Sequence, residues 1–294
     1  MRKRVSREHL IPLLFHAPTF LTLTAITMFP LLYNVYTSLH GYRLAVPGSE
    51  RQFVGLANYA RILEDREFWN SVGVTFKFVL GVTVTQLVLG FLVALTLNSI
   101  TRGRRILTSL VMIPMMVAPL VVGLMFSFTL NPQFGLYSYL VDRLGLALPQ
   151  APLSSAGSAL IVLMITDIWE WTPFMVLMIL AALQSVPIEP IEAAMIDGAS
   201  EVQTLRYVTL PLIRPVVVVA VVLRAIEAFK EFDKPYILTG GGPGAATEVI
   251  DMFTYREAFV NFNFSYASAL SIVLFVVLLA AGIGYWRLVM EGRK

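Results

Sequence analysis

The sequence predicts an all-α membrane protein with six transmembrane helices and both termini in the cytoplasm, and three observations carry that expectation. Hydrophobic residues make up 57% of the 294 residues and charged residues only 14%, with a mean hydropathy of +0.73, which leaves too little charge to cover a soluble surface. The apolar residues gather into six stretches of membrane-spanning length, about 10–39, 71–98, 106–130, 158–184, 212–232 and 266–286. Lys and Arg cluster beside these stretches, a distribution that orients a chain in a membrane and argues against nucleic-acid binding. There is no cysteine, and the three histidines, His9, His16 and His40, all fall in the first 40 residues. Disulfides and thiolate metal sites are therefore excluded, and nothing supports redox chemistry or a zinc centre.

Taken in order, Arg2, Lys3, Arg4 and Arg7 precede an apolar stretch, Leu10 to Leu39, that is too long for a signal-peptide core and lacks a small-residue cleavage site. It reads as a retained first span, bent at Pro12, Pro18 and Pro30. A polar connection from about Gly41 to Asn70 contains FVGLANYARILEDREFW, Phe53 to Trp69, whose aromatic residues suit an interfacial helix. The second span, Ser71 to Asn98, has Lys77 near enough to one end to snorkel. Arg102, Arg104 and Arg105 then form a basic turn, assigned to the cytoplasm by the positive-inside rule. The third span, Ile106 to Leu130, contains Pro114 and Pro119 and is rich in methionine, a residue that serves more often as adaptable packing than as a ligand. Asn131 to Gly157 reads as an outer loop with one short helix.

The fourth span, Ser158 to Gln184, carries Asp167, Glu170, Trp171 and Phe174 at positions i, i+3, i+4 and i+7, one face of a helix. In the fifth span, Leu212 to Phe232, Arg224, Glu227 and Glu231 again share a face. A charged side chain at membrane depth costs about 2.5–3.5 kcal/mol on insertion scales, so both faces should meet the bundle interior or water. These residues line a solute path in one reading. In another they only pack, with Arg224 and Glu227 neutralising each other or Arg224 reaching lipid phosphate. In a third, Asp167, Glu170, Arg224 and Glu227 relay ions in a secondary transporter or channel.

Between these spans lies a polar island, EAAMIDGASEVQTLRYVTLPLIRP, Glu192 to Pro215. Pro190 suits a first helical position, with Glu192 in the first turn, and Asp197-Gly198 suits a stop with glycine in the left-handed cap. Ser200 with Gln203 has the form of a capping box that restarts a helix, and Pro211 and Pro215 punctuate entry to the fifth span. The expected product is an exposed helical hairpin, within a loop at 185–211. An amphipathic helix lying on the membrane is the alternative, but the alanine pair bury little in lipid. After the fifth span, ILTGGGPGAATEV, Ile237 to Val249, has no Gly-Lys-Ser/Thr after it and no strand before it, so it reads as a flexible outer loop and not a phosphate cradle. The sixth span, Tyr266 to Trp286, ends in Arg287, Arg293 and Lys294. Six crossings anchored by the basic tails and the Arg102 turn put the hairpin in the cytoplasm by parity.

Glu192-Ala193-Ala194, Asp197-Gly198-Ala199 and Leu210-Pro211 stand at the spacing of the EAA loop, so the chain resembles the permeases of binding-protein-dependent ABC importers. Phe53 to Trp69 and Ile237 to Val249 are similar to segments of the sugar-permease branch of that family, which includes the maltose and glycerol-phosphate permeases. The resemblance implies the type I importer architecture, with Glu192, Ala193, Ala194, Asp197, Gly198, Ala199, Leu210 and Pro211 docking on a cytoplasmic ATPase. It implies as partners a second similar permease, two ATPase subunits and an external solute-binding protein, beside membrane lipid. With no G-x-x-x-x-G-K-[ST], the chain holds no P-loop and no cofactor of its own, so ATP and Mg belong to the ATPase and the chain is not an enzyme. The solute it implies is a carbohydrate. The outer connection of about thirty residues lacks the large domain that some maltose-type permeases insert there.

Overall fold

The computed structural model describes residues 7–149 and 151–291, with side chains described for 15–149 and 151–284. Arg2, Lys3, Arg4, Arg293 and Lys294, on which the orientation of the termini rests, lie outside the described residues, as do the side chains of Arg7, Pro12 and Arg287. The described elements are helical, and the extended pairing among them is a single bridge, His40 with Phe53. Among the described residues, five helical runs are long and apolar enough to cross a membrane: Phe15–Ser38, Arg66–Ser99, Ala156–Gln184, Glu201–Phe229 and Phe264–Gly284.

The chain divides into two compact units. One comprises the described residues up to Asp65 with Thr254–Ala281. It holds α1 (Arg7–Ser38), α2 (Ala57–Glu64) and most of α13 (Phe264–Glu291). Along α1, Phe15, Phe20, Leu21, Ile26 and Phe29 are exposed, as suits a helix surrounded by lipid or another chain. Its C-terminal end is tied to α2: the Asn58 side-chain amide donates to the carbonyls of Ser38 and His40, at 2.8 and 3.2 Å. The Tyr266 hydroxyl of α13 donates to Asp65 at 2.6 Å, and the Arg61 guanidinium lies 3.9 Å from the Tyr266 ring.

The other unit, Arg66–Phe253 with the described residues from Gly282, carries the groups that bear on function. Its spine is α3 (Arg66–Ser99) against α7 (Ala156–Gln184), with Phe78, Val82 and Leu163 in one layer and Ala94, Leu97, Val176, Ile179 and Leu183 in another. The helices touch closely at Gly90, where an added Cβ would come within 2.5 Å of Met175 Cβ. Ser155 caps α7 by accepting from Ser158 N, which explains its start two residues earlier than expected. In the outer loop α6 (Leu136–Leu144) is the one short helix expected there, closed by left-handed Gly145.

The third expected span is not one helix. The chain runs through α4 (Arg104–Met112), a 3₁₀ turn at Pro114–Met116, extended Val117 and Ala118, and α5 (Pro119–Thr129). Two prolines five residues apart each remove a ladder donor, and Pro119 forces Ala118 out of the helical region, to ψ 138°. The glycine segment also differs from the flexible loop expected. Its first two residues, Ile237 and Leu238, end α11 (Asp233–Leu238), and the rest is pinned where the Thr239 and Thr247 hydroxyls meet at 2.7 Å and Thr247 donates to Gly242 O at 2.8 Å. Thr247, Val249 and Ile250 are buried, and Ile250 N donates to Thr75 on α3 at 2.9 Å as α12 (Ile250–Tyr255) begins.

Candidate functional site

Two features stand out, a hairpin of helices and a buried cluster of charges. The hairpin begins with α8 (Ile188–Ile196), two residues before the expected start, because Pro187 takes an extended N-cap conformation (φ −59°, ψ 145°). Pro190 is third in the helix, where its missing N–H has no intrahelical acceptor to lose. Consequently Glu189, not Glu192, occupies the first turn, and the dipole argument for Glu192 transfers to its neighbour. The stop is as expected. Gly198 has φ +81°, Ala199 N donates to Ala194 O at 2.9 Å and Gly198 N to Met195 O at 3.1 Å, the paired bonds of a Schellman turn. A Cβ at Gly198 would meet nothing within 4 Å, so a side chain there is penalised through the backbone alone.

Ser200 then forms the full capping box: Gln203 N donates to its hydroxyl and Ser200 N to Gln203 Oε1 at 2.8 Å. The helix it starts is not a separate short one. From α9 (Glu201–Thr204) the chain passes through a π turn at Leu205–Thr209 into α10 (Leu210–Phe229), one helical run over Glu201–Phe229. The wide turn directly precedes Pro211, whose missing N–H removes a ladder bond there in any case. At about 1.5 Å per residue the run is about 44 Å long. Glu192, Ala193, Asp197 and Gly198 are exposed, and Ile196 and Val202 present apolar side chains 86% and 73% exposed on the two sides of the turn.

The charged faces of α7 and α10 meet each other. Arg224 pairs with Asp167, not with Glu227, and its Nε donates to Gln86 Oε1 of α3 at 2.8 Å. Gln86 Nε2 donates in turn to Asp167 Oδ2 at 3.0 Å. Lys234 of α11 lies 2.8 Å from Asp167 Oδ1, 2.6 Å from Glu170 Oε2 and 3.0 Å from Glu231 Oε2. Gln86, Asp167, Glu170, Arg224 and Lys234 are all 1% exposed or less. Three carboxylates and two cations thus brace α3, α7, α10 and α11, each charge held by an opposite one, as burial requires.

Trp171 and Glu227 leave this cluster. They line a cavity of about 160 Å³ with Pro119, Arg224, Lys230, Glu231, Phe232 and Asp233. The Arg224 guanidinium lies 5.2 Å from the Trp171 ring, Phe174 packs edge-on to Trp171 at 6.4 Å, and Glu227 pairs with Lys230 at 2.9 Å. Of the six pathway candidates, Trp171, Arg224 and Glu227 reach the cavity, Phe174 supports Trp171, and Asp167 and Glu170 are enclosed in the cluster. Sequence reasoning missed Gln86, Lys230, Asp233 and above all Lys234. The signal for Lys234 was charge balance, since Arg224 alone cannot neutralise Asp167, Glu170 and Glu231 at membrane depth.

Residues 86–291 match the model of the family described as binding-protein-dependent transport system inner membrane component. The chain is 37% identical over 279 residues to the trehalose/maltose transport system permease protein MalF of Thermococcus litoralis, covering 95% of this chain and 93% of that one. It is 38% identical over 261 residues to the probable ABC transporter permease protein y4oQ of Sinorhizobium fredii, covering 88% and 84%. Its fold is that of a chain from a bacterial ABC transporter involved in import of the acidic polysaccharide alginate, with a TM-score of 0.83 at 19% identity over 98% of this chain and 97% of the other.

Proposed function

The chain belongs to the family of binding-protein-dependent transport system inner membrane components, and from that premise we propose how its hairpin and its cavity divide the work of import. It is a multi-pass permease subunit of an ABC importer in the plasma membrane, and ATP hydrolysis belongs to another chain. It crosses the membrane six times with both termini cytoplasmic, the broken run 104–129 being the third crossing. A second, similar permease completes the pathway, an external binding protein delivers the solute, and two ATPase subunits bind ATP and Mg.

The observation that carries the coupling assignment is the unbroken helical run from the hairpin into the charged face. Val202, exposed beside the Gly198 turn, and Arg224, at the cavity, stand on one rod about 33 Å apart. A tilt imposed on the hairpin by a closing ATPase therefore moves one cavity wall without passing through a loop. Ile196 and Val202 supply the apolar contact on the ATPase, the alanine pair permits close approach, and Glu192 offers a carboxylate to a basic group.

The solute proposed is a carbohydrate. Trp171 offers an aromatic face to C–H surfaces and Glu227 and Asp233 offer acceptors to hydroxyls, which is in keeping with the trehalose/maltose permease among the relatives. Both cations of the wall that pair, Arg224 with Asp167 and Lys230 with Glu227, are already matched, which disfavours an anion such as glycerol phosphate. At about 160 Å³ the cavity falls below the roughly 300 Å³ where small-molecule pockets begin, in keeping with one wall of a site shared with a second permease. An ion relay through Asp167 and Glu170 requires groups that meet water, and these two are enclosed.

The test is Gly198→Val and Glu192→Ala in the assembled complex. A side chain in the left-handed region costs about 1–2 kcal/mol, too little to prevent insertion but enough to shift the hairpin. Both variants assemble in the membrane, and both lose most binding-protein-stimulated ATP hydrolysis and transport. Wild-type transport by Gly198→Val removes the coupling assignment.

A further inference from the structure

We propose that the cavity between the first turns of α4 and the last turns of α7 binds one anionic phospholipid, its phosphate at the arginines and an acyl chain against α7. The cavity measures about 560 Å³, separate from the one lined by Trp171. Its two walls differ in chemistry. Arg104, Arg105, Thr108 and Ser109 on α4 form a cationic, hydroxyl-bearing wall, while Leu177, Leu180 and Ala181, at i, i+3 and i+4 on α7, form an apolar one that ends in the amide of Gln184. An occupant that satisfies both has an anionic head joined to a hydrocarbon tail.

Two further observations point to the headgroup. No carboxylate among the described residues pairs with Arg102, Arg104 or Arg105, so within the described residues these guanidinium charges are uncompensated. The α4 N-terminus also lacks a side-chain cap: its N-cap is Gly103, at φ +81°, which has no side chain to offer its first amides. Arginine forks and free helix-terminal N–H groups are the donors that hold phosphate oxygens. The basic turn lies where the positive-inside rule puts the cytoplasmic boundary, and anionic lipids face such turns. Leu177 is 43% exposed, so the apolar wall opens on the side from which a lipid tail would enter.

The test is retention of lipid by the assembled transporter, carried in nanodiscs of equal parts phosphatidylcholine and phosphatidylglycerol and weighed by native mass spectrometry. Phosphatidylglycerol is retained over phosphatidylcholine. Its affinity falls about fivefold on Arg104→Gln or Arg105→Gln and about 30-fold on both together. Arg102→Gln, in the same turn but outside the cavity, leaves it within about twofold, whereas bulk attraction of a basic surface would make the three arginines equivalent. Ala181→Trp fills the apolar end with every charge intact and expels the lipid. Equal retention of the two lipids overturns the proposal, as does an Arg102→Gln loss equal to the others. So does displacement of the lipid by inorganic phosphate, which would make the site one for a free anion. Failure of the double variant to assemble assigns this face to a subunit contact and overturns it too.

Discussion

Removing the Lys234 ammonium tests whether the buried charges are a brace. In Lys234→Met the side chain keeps its length and loses its charge, leaving Asp167, Glu170 and Glu231 to share Arg224. The count moves from three carboxylates against two cations to three against one, in a site where Asp167 and Lys234 have no exposed surface. Breaking a buried pair by removing one partner costs about 3–5 kcal/mol. At about 2–4 °C per kcal/mol for a chain of this size, thermal unfolding in detergent should begin on the order of 10 °C lower. The compensating variant is Glu170→Gln on top of Lys234→Met, which returns the excess of carboxylates to one. It should recover more than half of the loss, whereas Glu192→Gln, on the exposed hairpin, should recover none. A Lys234→Met protein that melts with the wild type, or that is not rescued by Glu170→Gln, refutes the charge-balance reasoning.

Trp171→Ala and Glu227→Gln, made singly, should reduce solute transport while assembly and basal ATP hydrolysis survive, because neither belongs to the hairpin or to the buried brace; joint loss of assembly would make them packing residues. Asp251 of α12 supplies a pH test, since burial pushes its carboxyl up to about 6 while Lys230 pulls the other way. Its folded-state value lies above its unfolded one, so the folded state holds the proton more tightly and stability rises as pH falls from 7 through 6 toward 4. Asp251→Asn should flatten that slope in unfolding curves measured across this range, and an unchanged slope would put its origin elsewhere.

What could be read from the sequence was set by neighbours within a turn or two. The left-handed stop at Gly198 and the Ser200–Gln203 box depend on atoms at most five residues apart, so spacing and residue type suffice to specify them. Membrane residence follows from composition and helix length, which hold however the helices pack. The expected start at Pro190 failed for a local reason, because a proline is tolerated both at the N-cap, where Pro187 stands, and at the third helical position, where Pro190 stands, so Pro190 alone does not mark the first residue. The unbroken third span failed because its apolar length outweighed Pro114 and Pro119, whose lost donors decide the backbone whatever the hydropathy.

The partners of the charged residues were decided in three dimensions. Arg224 had Glu227 three residues away and instead took Asp167, 57 residues distant, while Glu170 met Lys234 across 64 and Asp167 met Gln86 across 81. Helical periodicity says which charges share a face; it cannot say which face of another helix arrives opposite. That depends on the α3–α7 spine and on α11 folding back after the fifth span, which brings a lysine from a connecting segment into the buried centre. From sequence alone, then, came a membrane-embedded helical chain with an exposed, glycine-hinged hairpin, because propensity, capping and hydropathy act locally. Only the tertiary structure showed that Asp167, Glu170 and Lys234 brace the bundle while Glu227 faces its cavity and Arg224 and Glu231 touch both, because pairing buried charges is a property of packed helices.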